Sequence, residues 1–257
     1  MKKLALATIS ILATCLLSAP AYSASYDCNK AATWVEKNIC KNPELSKLDD
    51  AMAQKYKIEL ASAADYQDSK SYKDGLIENQ RTWLRFQRNT CIETTCLIRE
   101  YKEYVEKKTD YGVAWSFAGE LNQSELPSKN AFGKFSKASQ ILMYNPETAR
   151  WDDAGEATNT LSINNVANTP YLSIVDGVFI FTNAHTCDIS ESKARWSQNH
   201  WVISDDQQDE AAELRLYPAI YKGKTQLLLR DMDNRYRESH CGMPGYFDGI
   251  VLEREVG

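Results

Sequence analysis

The stretch Pro43-Glu44-Leu45-Ser46-Lys47-Leu48-Asp49-Asp50-Ala51-Met52-Ala53-Gln54-Lys55-Tyr56-Lys57-Ile58-Glu59-Leu60 decides how the first half of the chain folds. Leu45, Leu48, Met52, Tyr56 and Leu60 recur at spacings of three and four, the period of one face of an α-helix. Pro43 stands where a first helical turn tolerates a residue without an N–H. On the N-terminal side, residues 31–40 suit a short helix. On the C-terminal side a second long helix carries Tyr72, Leu76, Trp83, Leu84 and Gln87, and a third begins near Cys96 with Leu97, Tyr101 and Val105 on one face. Aromatic residues at this spacing read first as a helical core.

After Tyr111 the period changes. Residues 121–137 are polar, contain Pro127 and Gly133, and read as a linker or exposed crossing. Short apolar runs of strand length follow at 141–144, 161–166, 171–174, 178–182, 201–204, 213–217, 226–229 and 246–252, some separated by the turn signals Asp176-Gly177 and Lys222-Gly223. The expected fold is therefore α+β in two domains, a small disulfide-pinned helical domain followed by an antiparallel β sandwich or small barrel. The expected boundaries are a signal peptide at 1–23, the helical domain at 24–111, a linker at 112–137 and the β-rich domain at 138–257.

Composition narrows the class. The chain has 257 residues, 43% hydrophobic and 25% charged, which excludes disorder and collagen-like repeats. A net charge of −5 speaks against a nucleic-acid partner, which usually selects a basic stripe. Lys2 and Lys3 precede an apolar run over 4–17, shorter than the roughly 20 residues of a membrane span. Ala19-Pro20-Ala21 and Ala21-Tyr22-Ser23 both offer small-x-small cleavage signals. These marks predict cleavage after Ser23 or Ala21, release into the periplasm and no membrane span. Lipid anchoring through Cys15 is the weaker alternative, because Thr14 stands where Gly or Ala is wanted. Cleavage removes two lysines and no acid, taking the charge from −5 to −7. Residues 24–110 are neutral overall, so this acidity lies wholly in the β half. Such a surface can steer a basic partner, although solubility alone accounts for it.

Cleavage also leaves six cysteines, Cys28, Cys40, Cys91, Cys96, Cys187 and Cys241, which pair by default in an oxidising compartment. Two antiparallel helices over about 44–64 and 70–90 would set Cys40 beside Cys91, leaving Cys28 for Cys96. The local pairs Cys28–Cys40 and Cys91–Cys96 are the alternative. Cys187 and Cys241 remain for each other. His185, Cys187, His240 and Cys241 also form a ligand set that zinc accepts, but exported thiols oxidise, so no metal or other cofactor is expected.

Catalytic patterns do not emerge. The chain lacks Gly-x-Ser-x-Gly, His-Glu-x-x-His and glycine-rich phosphate loops. Its histidines are His185, His200 and His240, and a Cys187–His185 nucleophile would need a free thiol. Acids such as Asp152, Asp153, Asp205, Asp206, Asp231 and Asp233 are plentiful, but neighbouring acids in polar loops are usually solvated turns. The sequence does not read as an enzyme.

The N-terminal half resembles the LprI-type lysozyme-inhibitor family over about residues 26–108. The resemblance rests on Asp27-Cys28-x-Lys30-Ala31, Val35-Glu36-Lys37-x-Ile39-Cys40, Pro43-Glu44-Leu45-x-x-Leu48-Asp49, Gln80-Arg81-x-Trp83-Leu84, Arg88-Asn89-x-Cys91 and Cys96-Leu97-x-x-x-Tyr101. Asn89 replaces the family's usual acid and Tyr104 its common arginine. The C-terminal half resembles the β region that accompanies this domain in some exported proteins, through His185-x-Cys187, Trp201, Cys241-Gly242 and Gly245-x-x-x-Gly249. The first resemblance implies an exported, non-catalytic binding protein, a periplasmic inhibitor of lysozyme or another muramidase or peptidoglycan hydrolase. The alternatives are an immunity protein against a secreted cell-wall toxin, or an envelope stress or structural protein with no enzyme target. Asp231, Asp233 and Asn234 form a candidate contact loop, which otherwise reads as a β-turn.

Overall fold

A computed structural model describes residues 24–109, 111, 126–205 and 212–255. The expected signal peptide, Cys15 and most of the expected linker lie outside these residues.

The helical region contains α1 (Trp34–Lys41), α2 (Pro43–Ser62), α3 (Ser69–Thr82) and α4 (Thr94–Glu106). Local chemistry sets its boundaries. Thr33 and Glu36 form a capping box at the start of α1, each satisfying a backbone N–H that the helix leaves open. Asn42 caps α2 by accepting from the N–H groups of Glu44 and Leu45, with Pro43 in the first turn. Beyond α3 the chain widens into a π-helical turn, Trp83–Gln87. Leu45, Met52, Trp83, Leu97 and Tyr101 form the core of this region. Buried Asp49 accepts from the Tyr101 hydroxyl at 2.6 Å, tying α2 to α4.

The disulfide pairing corrects the long-range expectation. The bonds are Cys28–Cys40 and Cys91–Cys96, not Cys40–Cys91 and Cys28–Cys96. The expected pairing sets α3 alongside α2, whereas α4 holds that place: Lys55 of α2 donates to the carbonyls of Tyr104 and Val105 at the C-terminal end of α4. The chain turns directly from Cys91 into α4, so Cys91 meets Cys96. In the chain-entropy picture these short loops contribute about 3 and about 2 kcal/mol.

Eight strands follow: β1 (Gly133–Asn145), β2 (Arg150–Val166), β3 (Thr169–Ile180), β4 (Thr186–Ser197), β5 (His200–Asp205), β6 (Ala212–Tyr221), β7 (Lys224–Asp231) and β8 (Val251–Arg254). Each pairs antiparallel with the next, and β1 with β8, closing a barrel. This resolves the sandwich-or-barrel alternative. Phe135, Leu161, Phe179, Trp196, Trp201, Leu216 and Leu229 contribute to a solid apolar interior. The expected linker ran to residue 137, but Gly133 to Lys137 already pair with β2. Asp176-Gly177 is not a turn either. It lies inside β3 at a register shift against β4, where a Cβ on Gly177 would come within 3.1 Å of Phe179 and of the Thr160 carbonyl. Lys222-Gly223 does turn the chain, with both residues at positive φ. Cys187 and Cys241 bond at the start of β4, closing a loop that contributes about 4 kcal/mol in the same picture. That bond consumes both thiols of the zinc reading.

Strand β6 is buried on two sides. Leu214 and Leu216 point into the barrel, while Arg215, Tyr217 and Ala219 alternate to the outer face. The outer face is covered by the helical region, where Phe86 packs against Tyr217, Ala219 and Leu228. Phe86 is fully buried, so Phe86→Ala is expected to lower stability by about 3–5 kcal/mol, read from urea unfolding followed by circular dichroism.

Candidate functional site

The contact between the helical region and the barrel is polar as well as apolar. Arg215 on β6 donates to both carboxylate oxygens of Glu103 on α4, at 3.0 and 2.8 Å, and to Glu213 at 3.1 Å. Burial disfavours the guanidinium charge, but Tyr217, Glu103 and Glu213 more than offset this and hold its pKa above the ordinary value. Arg99 of α4 bonds Glu100 at 2.7 Å and Asn199 at 2.9 Å. Gln87 joins the two sides, donating to Glu100 at 3.0 Å and accepting from Arg230 at 2.9 Å. His200 stacks on Tyr217 and is fully enclosed; burial pushes its pKa well below the ordinary value, and Arg99 and Arg215 push the same way. It is a neutral core histidine.

Beside this network lies a cleft of about 490 Å³ where α2, α3 and α4 meet the β7–β8 connection. Lys55, Glu59, Tyr72, Tyr104 and Lys107 line the helical wall, and Arg230, Asp231, Asp233 and Asp248 the barrel wall. Of the predicted contact loop, Asp231 and Asp233 reach this cleft. Asp231 is buried at the end of β7 and accepts from the backbone N–H groups of Tyr236 and Arg237, both at 2.9 Å. Asp233 accepts from the Tyr111 hydroxyl, and Asn234 is exposed at positive φ in the 3₁₀ turn Met232–Asn234. Asp248 accepts from the Arg230 side chain at 2.7 Å and from the Asp231 backbone at 3.2 Å. The acids of this wall therefore position the loop, with Asp231 and Asp248 committed to N–H donors.

The sequence reading missed Lys55, Glu59, Lys107, Arg230 and Asp248, which come from distant segments and share no motif. Tyr104, singled out as a departure from the family pattern, donates to Gln80 and packs on Trp83. Burial pushes its hydroxyl up to about 12. Asn89, the other departure, accepts from Arg88 at 2.9 Å. His185 and His240 flank the Cys187–Cys241 bond without forming a ligand set. Among the described residues no group of three His, Cys, Asp or Glu is placed to hold a metal. His240 instead contacts Asp205 at 3.2 Å and stacks on Tyr236.

A helical core pinned by Cys28–Cys40 and Cys91–Cys96 is thus in place ahead of the barrel. Residues 28–123 match the family model for lysozyme inhibitor LprI. The match covers the LprI-like helical region and leaves the barrel outside it. No curated protein and no solved structure matches the chain. The LprI family consists of inhibitors rather than catalysts, and the three disulfides belong to a location outside the reducing cytoplasm. No described helix is long and apolar enough to cross a membrane.

Burial pushes the Asp231 carboxyl up to about 6, and Asp248 adds to the rise against the lowering effect of the Arg237 and Tyr236 N–H groups. The folded protein then holds a proton that the unfolded chain has released near pH 4, so this residue's contribution to stability falls as pH rises from about 4 to about 6. His200 acts in the opposite sense, because only the unfolded chain protonates it readily as pH falls below about 6.5. The unfolding free energy of the wild type minus that of Asp231→Asn is expected to decline between pH 4 and 6 and to level off above, with the His200 contribution cancelling. Urea titrations at half-unit steps provide the measurement.

Proposed function

We propose that the protein is an exported, non-catalytic inhibitor that binds lysozyme or a related peptidoglycan hydrolase in the periplasm. The match of residues 28–123 to the LprI inhibitor family carries this reading. The physical features agree with it. The helical fold is fixed by short disulfides, and a rigid binder loses less conformational freedom on association than a flexible one. The acidity of the barrel half suits a basic target, since opposite charge raises the rate of encounter at low ionic strength. In this reading the export signal is residues 1–23 and the released protein is the working form.

The test uses purified mature protein and a c-type lysozyme acting on cell-wall substrate. Dose-dependent inhibition by the oxidised protein, lost after reduction of the disulfides, is the expected result. Absence of binding at tens of micromolar protein, weaker than about −6 kcal/mol, overturns the c-type lysozyme reading and directs the search to a secreted cell-wall toxin.

A further inference from the structure

The β1–β2 pair outruns the barrel. β3 pairs with β2 only from Thr160 onward, and β8 pairs with β1 only at Phe135 and Ser136. Residues 140–157 therefore continue as a two-stranded ribbon, about 25 Å long at about 3.3 Å per residue. The ribbon is held in place near its tip, where the Asn183 side chain accepts from the Tyr144 backbone N–H at 2.7 Å. A bulge near its base, between Gln140 and Leu142, gives it a bend.

β1 packs along the turn Thr182–Ala184 and Ile141 is buried there, but among the described residues no third strand pairs with the ribbon. Tyr144 and Trp151 sit directly opposite each other, their rings 5.3 Å apart in an edge-to-face contact. Trp151 is 53% exposed, Tyr144 45% and Met143 39%. Within residues 140–157 the acids Glu147, Asp152, Asp153 and Glu156 stand against the single Arg150, with Asp152 on the face opposite the aromatic pair. An exposed, preordered aromatic pair inside an acidic rim has the make-up of an interface anchor: large flat side chains to desolvate at the centre, and charge at the edge to steer.

We propose that this ribbon is the principal docking element of the protein and that its occupant is the substrate groove of a positively charged muramidase. The argument for this occupant is complementarity. The ribbon carries four acids to one arginine, as a cationic partner requires, and its paired aromatic rings are exposed for contact. The inference rests on the inhibitor reading and adds the binding element to it. It also assigns binding to the barrel half, which lies outside the family match.

The experiment measures binding of oxidised mature protein to a c-type lysozyme by surface plasmon resonance, with cytochrome c as a basic non-muramidase control. The double variant Tyr144→Ala/Trp151→Ala is expected to weaken lysozyme binding at least ten-fold while still folding, with a melting temperature only about a few degrees lower. Glu147→Lys/Glu156→Lys, on side chains exposed to solvent, is expected to slow association and flatten its salt dependence. Ile58→Ala/Ile220→Ala, exposed elsewhere, is expected to bind as wild type. If the wild type binds lysozyme and both ribbon variants match it within two-fold, the ribbon inference is overturned and the inhibitor reading stands. Equal binding to cytochrome c overturns the muramidase groove as the occupant. A wild type that does not bind lysozyme overturns the ribbon inference together with the c-type lysozyme reading.

Discussion

The ion group centred on Arg215 governs how the two regions meet. This arginine points away from the barrel interior on β6, yet its side chain is only 2% exposed. A charge taken out of water costs several kcal/mol unless partners replace the lost solvent. Glu213 on the same strand supplies one partner, and Glu103 on α4 the other. Without α4 in this position Arg215 would lose its bidentate carboxylate partner and keep only groups of its own strand such as Glu213 and Tyr217, so this outer barrel face favours the docking that brings Glu103 to it. Phe86 and Leu228 add apolar contact beside the ions, but apolar surface is tolerant of sliding, and bidentate charge pairs are not.

From that docking follows the distribution of acids and bases over the surface. The interface consumes Arg99, Arg215, Glu100, Glu103 and Glu213 in mutual pairs. The β7–β8 connection consumes Asp231 and Asp248 in holding backbone and Arg230. Acids near the tip of the β1–β2 ribbon are spent differently, on the ribbon itself or on solvent: Asp152 accepts from Asn145 and Asp153 from Gly155. Charge thus serves assembly at the helical contact and faces outward along the ribbon.

The helices were readable because a half-buried helix shows its period, and Leu45, Met52 and Trp83 stand where that period puts them. Closure of the sheet was not readable, since a sandwich and a barrel share the same alternation within each strand. β6 reads as a strand but hides its outer partner, as Glu213 and Arg215 have the look of solvent-facing residues. β4 escaped notice because Thr186–Ser197 is mostly polar, with only Cys187, Ile189, Ala194 and Trp196 marking its inner face. The cleft was half legible. Asp231 and Asp233 could be suspected from a polar loop, but Lys55, Lys107 and Asp248 are brought beside them only by the docking that Arg215 enforces. The disulfide error has the same root, because it depended on which helix lies along α2.

The disulfides join consecutive cysteines of the described chain: Cys28 with Cys40, Cys91 with Cys96 and Cys187 with Cys241. A chain that enters an oxidising compartment N-terminus first presents its thiols in that order. Each cysteine then finds its native partner as the next thiol to arrive, before a competitor is present. For a chain exported as proposed above, nearest-neighbour oxidation would coincide with the observed bonds region by region.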